Sequence, residues 1–250
     1  MKELNQVDLA FIVDTTGSMG GFINAAKAQM TDMLHSLTTN MATPINLRVG
    51  IVEYRDHPPQ DRSFVTRTYP FARSLKSVQK KINKLQPGGG GDWPEAVYDG
   101  VVAVTTSLSW RPHSRKLAVL VGDAPPHGYQ TLQGSCTCGL NAEEVSATLE
   151  EHGIVLYALG LTNSVAESFS WLAHYTGGEY FEAKRGNVAI EKVKTMLISE
   201  FSHLDFDKQV LNLCRTTDEW TVDDLCEQLE HPRGRVSASL SRLGRRHLLA

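Results

Sequence analysis

No stretch of this 250-residue chain approaches the roughly 18 consecutive apolar residues of a membrane span, so the sequence predicts no membrane role. Its first residues, "MKELNQVDLAFIVD", carry one Lys and lack the layout of a secretory leader. Four cysteines are too few for a disulfide scaffold and fit a reducing compartment, so the expected location is cytoplasmic. Charge of one sign is missing too: 25 Lys+Arg against 28 Asp+Glu give a net charge of -3, with no global field for nucleic acid or anionic membrane. Internal repeats are absent, and the only low-complexity element is the glycine run Gly88 to Gly91. No G-x-x-x-x-G-K-S/T stretch occurs, which excludes a P-loop.

With 41% hydrophobic and 21% charged residues the chain has the means for one full core and a small appendage. Short apolar, β-branched runs ("LAFIVD", "INLRVGIVEY", "KLAVLVGD", "IVLYALGL", "EYFEA") alternate with helix-like segments such as "FINAAKAQMTDMLHSL", "PEAVYDGVVAVTTSL" and "NAEEVSATLEEHG". Strands without period-two alternation are buried on both faces, so the order predicts an α/β fold, a doubly wound, mostly parallel sheet with helices on both faces. This domain is expected over residues 1–204. Residues 205–250 change to short helical segments, "DKQVLNLCRT", "TVDDLCEQLE" and "GRVSASLSRLGRRHLLA", with Thr221 as an N-cap. They resemble a helix-turn-helix or truncated winged-helix unit.

In doubly wound sheets ligands bind at the carboxyl ends of the strands. Three polar loops fall there: "DTTGSMGG", "PGGGGDWPEA" and "GDAPPHG". In the first, Asp14, Thr16 and Ser18 aim three oxygens into one small volume, and Gly17 lets the backbone turn between them. A carboxylate with neutral hydroxyls is a hard-ligand set suited to Mg2+ or Mn2+. An Asp after a strand is also a common helix cap, and only the other two loops raise the metal reading above that one. A haloacid-dehalogenase-type phosphatase would need a second Asp two residues on, where Thr16 stands.

"AFIVDTTGSM" resembles the D-x-S/T-x-S motif of von Willebrand factor type A domains, and the α/β order to about residue 200 is similar throughout. "PGGGGDWPEAV" and "VLVGDAPPHG" look like the intracellular branch found in stand-alone bacterial proteins and in alpha-type kinases. The resemblance implies a metal-ion-dependent adhesion site at which a partner protein's carboxylate completes the coordination. It implies that Asp14, Thr16, Ser18 and Asp123 are ligands. In the second loop Gly91 falls where the family has a threonine, with Asp92 beside it as the substitute ligand; alternatively Asp92 points away and water fills the gap. Three carboxylates would hold the cation more firmly and make it a weaker electrophile. Gly91, Asp56 and His127 are expected on the partner-binding rim.

Other candidates carry weaker signals. His127, Cys136 and Cys138 put three soft ligands in one loop, but C-x-C is tight and no fourth ligand follows, so a surface loop shaping the partner face is favoured over structural zinc. Glu53, Arg55, Asp56 and His57 read as a charged or salt-bridged rim, without a nucleophile to make them catalytic. Cys214 and Cys226 occupy apolar helix positions and read as core thiols. The last helix holds Arg233, Arg235, Arg242, Arg245 and Arg246 and no acid, with Ser237, Ser239 and Ser241 alongside. Docking on an acidic protein surface is favoured there over nucleic-acid phosphates. The expected function is a non-enzymatic, cation-dependent protein-binding adaptor, plausibly in bacterial stress or defence signalling. A nucleic-acid-binding regulator is the alternative, and a metal-dependent hydrolase with Glu53 or His127 as base is less favoured.

Overall fold

The strands are Gln6–Asp14 (β1), Asn46–Tyr54 (β2), Thr66–Ala72 (β3), Arg115–Gly122 (β4), Ile154–Gly160 (β5) and Tyr180–Glu182 (β6). In the computed structural model, which describes residues 4–39, 44–91, 93–129, 138–217 and 219–249, they form one sheet in the order β3-β2-β1-β4-β5-β6. Every neighbouring pair is parallel except β2 with β3. The helices are Gly20–Thr39 (α1), Leu75–Ile82 (α2), Val97–Ser107 (α3), Ala142–Glu151 (α4), Ala166–Tyr175 (α5), Gly186–Thr216 (α6), Val222–Leu229 (α7) and Arg233–Arg245 (α8).

The apolar runs lack alternation because both faces of the sheet are covered. From β1, Leu9, Phe11 and Val13 pack with α1 and α6, whereas Ala10 and Ile12 pack with α3 and α5. β3 has no counterpart among the expected strands. Its sequence, TRTYPFA, is polar and holds Pro70, which an antiparallel edge strand tolerates because one side of its backbone needs no partner.

The boundary expected at 204/205 falls inside α6, a continuous helix of 31 residues. Its second half joins α7 and α8 around a separate small core of Phe206, Val210, Leu211, Leu225, Val236 and Leu243, to which Leu4 also contributes. Cys214 and Cys226 pack at its margin. Thr221 caps α7 in a reciprocal box: its hydroxyl accepts from the Asp224 N–H, and the Asp224 carboxylate accepts from the Thr221 N–H at 2.8 Å. No strand follows α6 among the described residues. Among the described residues no helix is long and apolar enough to cross a membrane.

α6 runs from the sheet domain into the helical unit and is tied to both by buried polar contacts. Arg115 of β4 pairs with Glu200 of α6 at 2.8 Å, and the Tyr157 hydroxyl of β5 donates to the same carboxylate. The Asp207 carboxylate accepts from Arg242 Nε at 2.9 Å and from the Ser239 hydroxyl at 2.7 Å.

Candidate metal centre

β1 ends at the carboxyl edge of the sheet between β2 and β4, which places the first loop at the centre of that edge. Asp14 is fully buried. Its Oδ1 accepts from the Thr16 N–H at 2.8 Å and from the Thr16 hydroxyl at 2.7 Å. Thr16 therefore gives its proton to Asp14 and keeps its lone pairs for another partner. The exposed Ser18 hydroxyl lies 3.5 Å from that of Thr16.

Asp14 Oδ2 is buried and makes no hydrogen bond of ordinary geometry with a described residue. Burial pushes the Asp14 carboxyl up to about 7 against the Thr16 hydrogen bonds; the charge of Asp123 pushes the same way, and the Asp123 backbone N–H opposes it. An orphaned, desolvated carboxylate oxygen beside two hydroxyls is costly without a compensating charge, and a divalent cation supplies one. Asp14, Thr16, Ser18 and Asp123 fit such an ion by donor type and by convergence on one edge.

The glycine loop is built against this site by the backbone. The Gly17 N–H donates to the Gly89 carbonyl at 3.2 Å, and the Gly88 N–H to the Thr15 carbonyl at 3.0 Å. Gly89 has φ +70°, and a Cβ there would lie 1.7 Å from Asp61 Oδ2. Gly89→Ala is expected to cost roughly 2 kcal/mol, from left-handed backbone strain and displacement of Asp61. Urea denaturation of the variant reads this loss, and Mg2+ affinity should fall with it.

In the second loop the geometry differs from the expectation. Gly91 faces Gln60, whose carbonyl would be 3.2 Å from an added Cβ. Gly90 is the residue turned toward the site: a Cβ on it would lie 3.1 Å from Thr16 Cβ and 2.8 Å from Glu95 Oε1. Asp92 lies outside the described residues. Glu95, 4% exposed, is a buried carboxylate at this edge that the sequence reading passed over. Its backbone joins the second loop to the third, with its N–H donating to the Pro125 carbonyl at 3.0 Å and its carbonyl accepting from the His127 N–H. The signal for it was the acid in "DWPEAV" immediately before the apolar start of α3.

Tyr54 lies beneath the edge, its buried hydroxyl so close to Gly122 that a Cβ there would sit 2.5 Å away. Burial raises its phenol far above the ordinary range, and the charges of Asp14, Glu95 and Asp123 add to this. The edge thus gathers three carboxylates around the Tyr54 hydroxyl.

The expected rim is corrected at Asp56. It is fully buried, because His127 Nε2 closes over it at 2.6 Å from its Oδ1, so no partner touches it. Glu53 is 1% exposed and accepts from the Tyr69 hydroxyl at 2.8 Å and from Arg67 at 3.2 Å across the β2–β3 pair, which removes it as a general base. Arg55 is a strut, donating to the Gln86 carbonyl and the Ser63 hydroxyl. Cys136 lies outside the described residues.

The basic helix α8 is committed largely to its own chain. Arg242 holds Asp207, and Arg245 donates to the Thr176 carbonyl at 2.9 Å. Arg246 is 2% exposed and donates to the carbonyls of His113 and Leu4. Arg235 stacks over the Phe206 ring at 4.3 Å, and Arg233 pairs with Asp223. Arg246 is thereby buried, whereas Arg233, Arg235 and Arg245 stay exposed beside their internal contacts.

The alpha-protein kinase vwkA of Dictyostelium discoideum is 32% identical over 122 residues, 49% of this chain and 19% of the kinase. An ariadne-like RING finger protein of Acanthamoeba polyphaga mimivirus is 26% identical over 208 residues, 77% of this chain and 20% of that protein. The chain thus spans about a fifth of the length of each. Among solved structures, proximal thread matrix protein 1 from the mussel byssus, with a zinc-occupied MIDAS motif, is similar at TM-score 0.55 and 18% identity, over 76% of this chain and 45% of that one. A von Willebrand factor type A protein from Catenulispora acidiphila is similar at TM-score 0.55 and 13% identity, over 76% and 42%. Residues 8–195 match the family described as von Willebrand factor type A domain, and the chain belongs to that family.

Proposed function

We propose that this chain is a cation-dependent protein-binding module, in which Mg2+ or Mn2+ is held by Asp14, Thr16 and Ser18, with Asp123 and Glu95 as flanking carboxylates. The observation that carries the reading is the orphaned, buried Asp14 Oδ2 beside the Thr16 and Ser18 hydroxyls. All-oxygen donors suit these hard cations, and a coordination position facing solvent suits a carboxylate from a partner. Trp93, 42% exposed on the second loop, offers an aromatic anchor next to the ion. The negative edge makes the bound ion a firm but modest electrophile, which fits reversible capture.

The module reads as a non-enzymatic adaptor, since of the two candidate bases Glu53 is buried against Tyr69 and Arg67, and His127 is engaged with the buried Asp56. Nucleic-acid binding is less favoured, because Arg242, Arg245 and Arg246 are spent on internal acceptors. The experiment is affinity capture with the full chain as bait, in Mg2+ and in EDTA. Prey retained in Mg2+ and released by EDTA, and absent from an Asp14→Ala bait, supports the reading. The same prey on both baits in EDTA contradicts it.

A further inference from the structure

Next to the Asp14 site lies a cluster of different chemistry. His57 and Asp56 follow β2, Asp99 is in the first turn of α3, His127 follows β4, and Cys138 precedes α4. Two imidazoles, two carboxylates and a thiol from four segments meet there. The ligating atoms of His57, Asp99 and Cys138 lie within 4.8 Å of one another, as do those of Asp56, His57 and His127.

Distances separate ligands from supports. A tetrahedral zinc ion keeps a nitrogen and an oxygen ligand about 3.4 Å apart, and a sulfur and an oxygen about 3.6 Å apart. His57 Nε2 is 3.1 Å from Asp99 Oδ2, and Cys138 Sγ is 3.4 Å from the same oxygen. These are near the edges of such a tetrahedron. His127 Nε2 and Asp56 Oδ1, at 2.6 Å, are too close to share an ion and form a charge-assisted hydrogen bond. The second nitrogen of His57, Nδ1, is 3.8 Å from Asp56 Oδ1, with the Asp56 carboxylate also accepting from the His57 backbone N–H at 2.7 Å. At 3.8 Å Asp56 makes no hydrogen bond to Nδ1 and acts on the ring through its charge, which raises the basicity of the imidazole.

We propose that His57 Nε2, Asp99 Oδ2 and Cys138 Sγ form a second metal site that takes Zn2+, oriented by Asp56 and His127, with the fourth position left to solvent. Nitrogen, thiolate and a single carboxylate select zinc over Mg2+, so the two sites differ in ion as well as in place. His57 is 6% exposed and Cys138 is exposed, so the ion enters from the Cys138 side. Binding would fasten the start of α3 and the segment before α4 to the loop after β2. His127 also donates its backbone N–H to the Glu95 carbonyl, so the clip would brace the rim of the first site. This site requires no occupancy of the Asp14 site.

The test is titration of the full chain, reduced and metal-stripped, with Co2+ and then Zn2+. Wild type should develop the near-ultraviolet thiolate-to-cobalt absorption with one equivalent and lose it on adding Zn2+. Cys138→Ser should abolish the band, and His57→Ala should weaken Zn2+ binding at least 100-fold. Asp56→Asn should keep the band and weaken Zn2+ binding by roughly 10- to 100-fold. Asp14→Ala should change none of this. No band in wild type, or an equal band in Cys138→Ser, overturns the proposal and leaves the cluster a hydrogen-bonded network.

Discussion

Replacing Asp14 with Asn is expected to make the cation-free protein more stable at pH 8 and to abolish its response to Mg2+. In the folded chain burial holds the Asp14 carboxyl at about 7 instead of the usual 3.8. Between those values the folded state keeps a proton that the unfolded state has released, so stability falls as pH rises through this window. The full loss is on the order of 4 kcal/mol. Asn cannot ionise and its carbonyl still accepts from Thr16, though neutral hydrogen bonds are weaker by about 1 to 2 kcal/mol. A gain of about 2 kcal/mol remains. Urea denaturation of wild type in EDTA should show lower stability at pH 8 than at pH 5, with Mg2+ closing the gap. Asp14→Asn should show neither the slope nor the Mg2+ effect. A wild type in EDTA that is equally stable at both pH values would remove the charge strain on which the site reading rests.

The second large effect is expected at Glu200→Ala, far from the metal edge. Glu200 is 7% exposed and is the counter-ion of Arg115, itself 7% exposed. Burial raises the Glu200 carboxyl, but the Arg115 charge and hydrogen bond and the Tyr157 hydroxyl outweigh it and hold the group below its ordinary range. Removing the carboxylate leaves a buried guanidinium without its partner, which costs about 3 to 5 kcal/mol in such settings. Because α6 links the sheet to the helical unit, the loss should reach both. Glu200→Gln should fall between the two proteins. A lowered carboxyl pKa adds stability above the unfolded value and loses it as pH falls through the folded one, so the difference between Glu200→Gln and wild type should shrink below about pH 4. A change below 1 kcal/mol for Glu200→Ala would show that the pair is not what holds α6 to β4 and β5.

Much of this architecture was legible because burial on two faces leaves a simple trace. "LAFIVD", "KLAVLVGD" and "IVLYALGL" are apolar through their middles, without alternation, and became the central strands β1, β4 and β5. In the first loop Asp14, Thr16 and Ser18 stand two residues apart, and the structure keeps their side-chain oxygens together. β3 was hidden because an edge strand needs neither an apolar face nor proline-free backbone. The end of α6 was misread as a separate helix because its buried face changes partner near residue 204, from the sheet core to the small C-terminal core.

Glu95 and the His57–Asp99–Cys138 group were missed for another reason. Their positions depend on how loops after different strands meet, and that follows from strand order. The Gly90–Glu95 approach arises because the glycine loop folds over Thr16 and then turns toward Pro125. His57 meets Asp99 because α3 starts against the loop after β2, where the Ala96 N–H donates to the Arg55 carbonyl. The arginines of the last helix show the converse: a basic face on paper becomes a set of internal contacts once Asp207, Thr176 and His113 are placed beside it, although only Arg246 is buried.

The central claim is that Asp14, with Thr16 and Ser18, binds a hard divalent cation. Calorimetric titration of the full chain with Mg2+ at pH 8 tests it directly, alongside Asp14→Ala and Cys138→Ser. The account predicts one Mg2+ per chain for wild type and for Cys138→Ser, and none for Asp14→Ala. Equal binding by wild type and Asp14→Ala would contradict it.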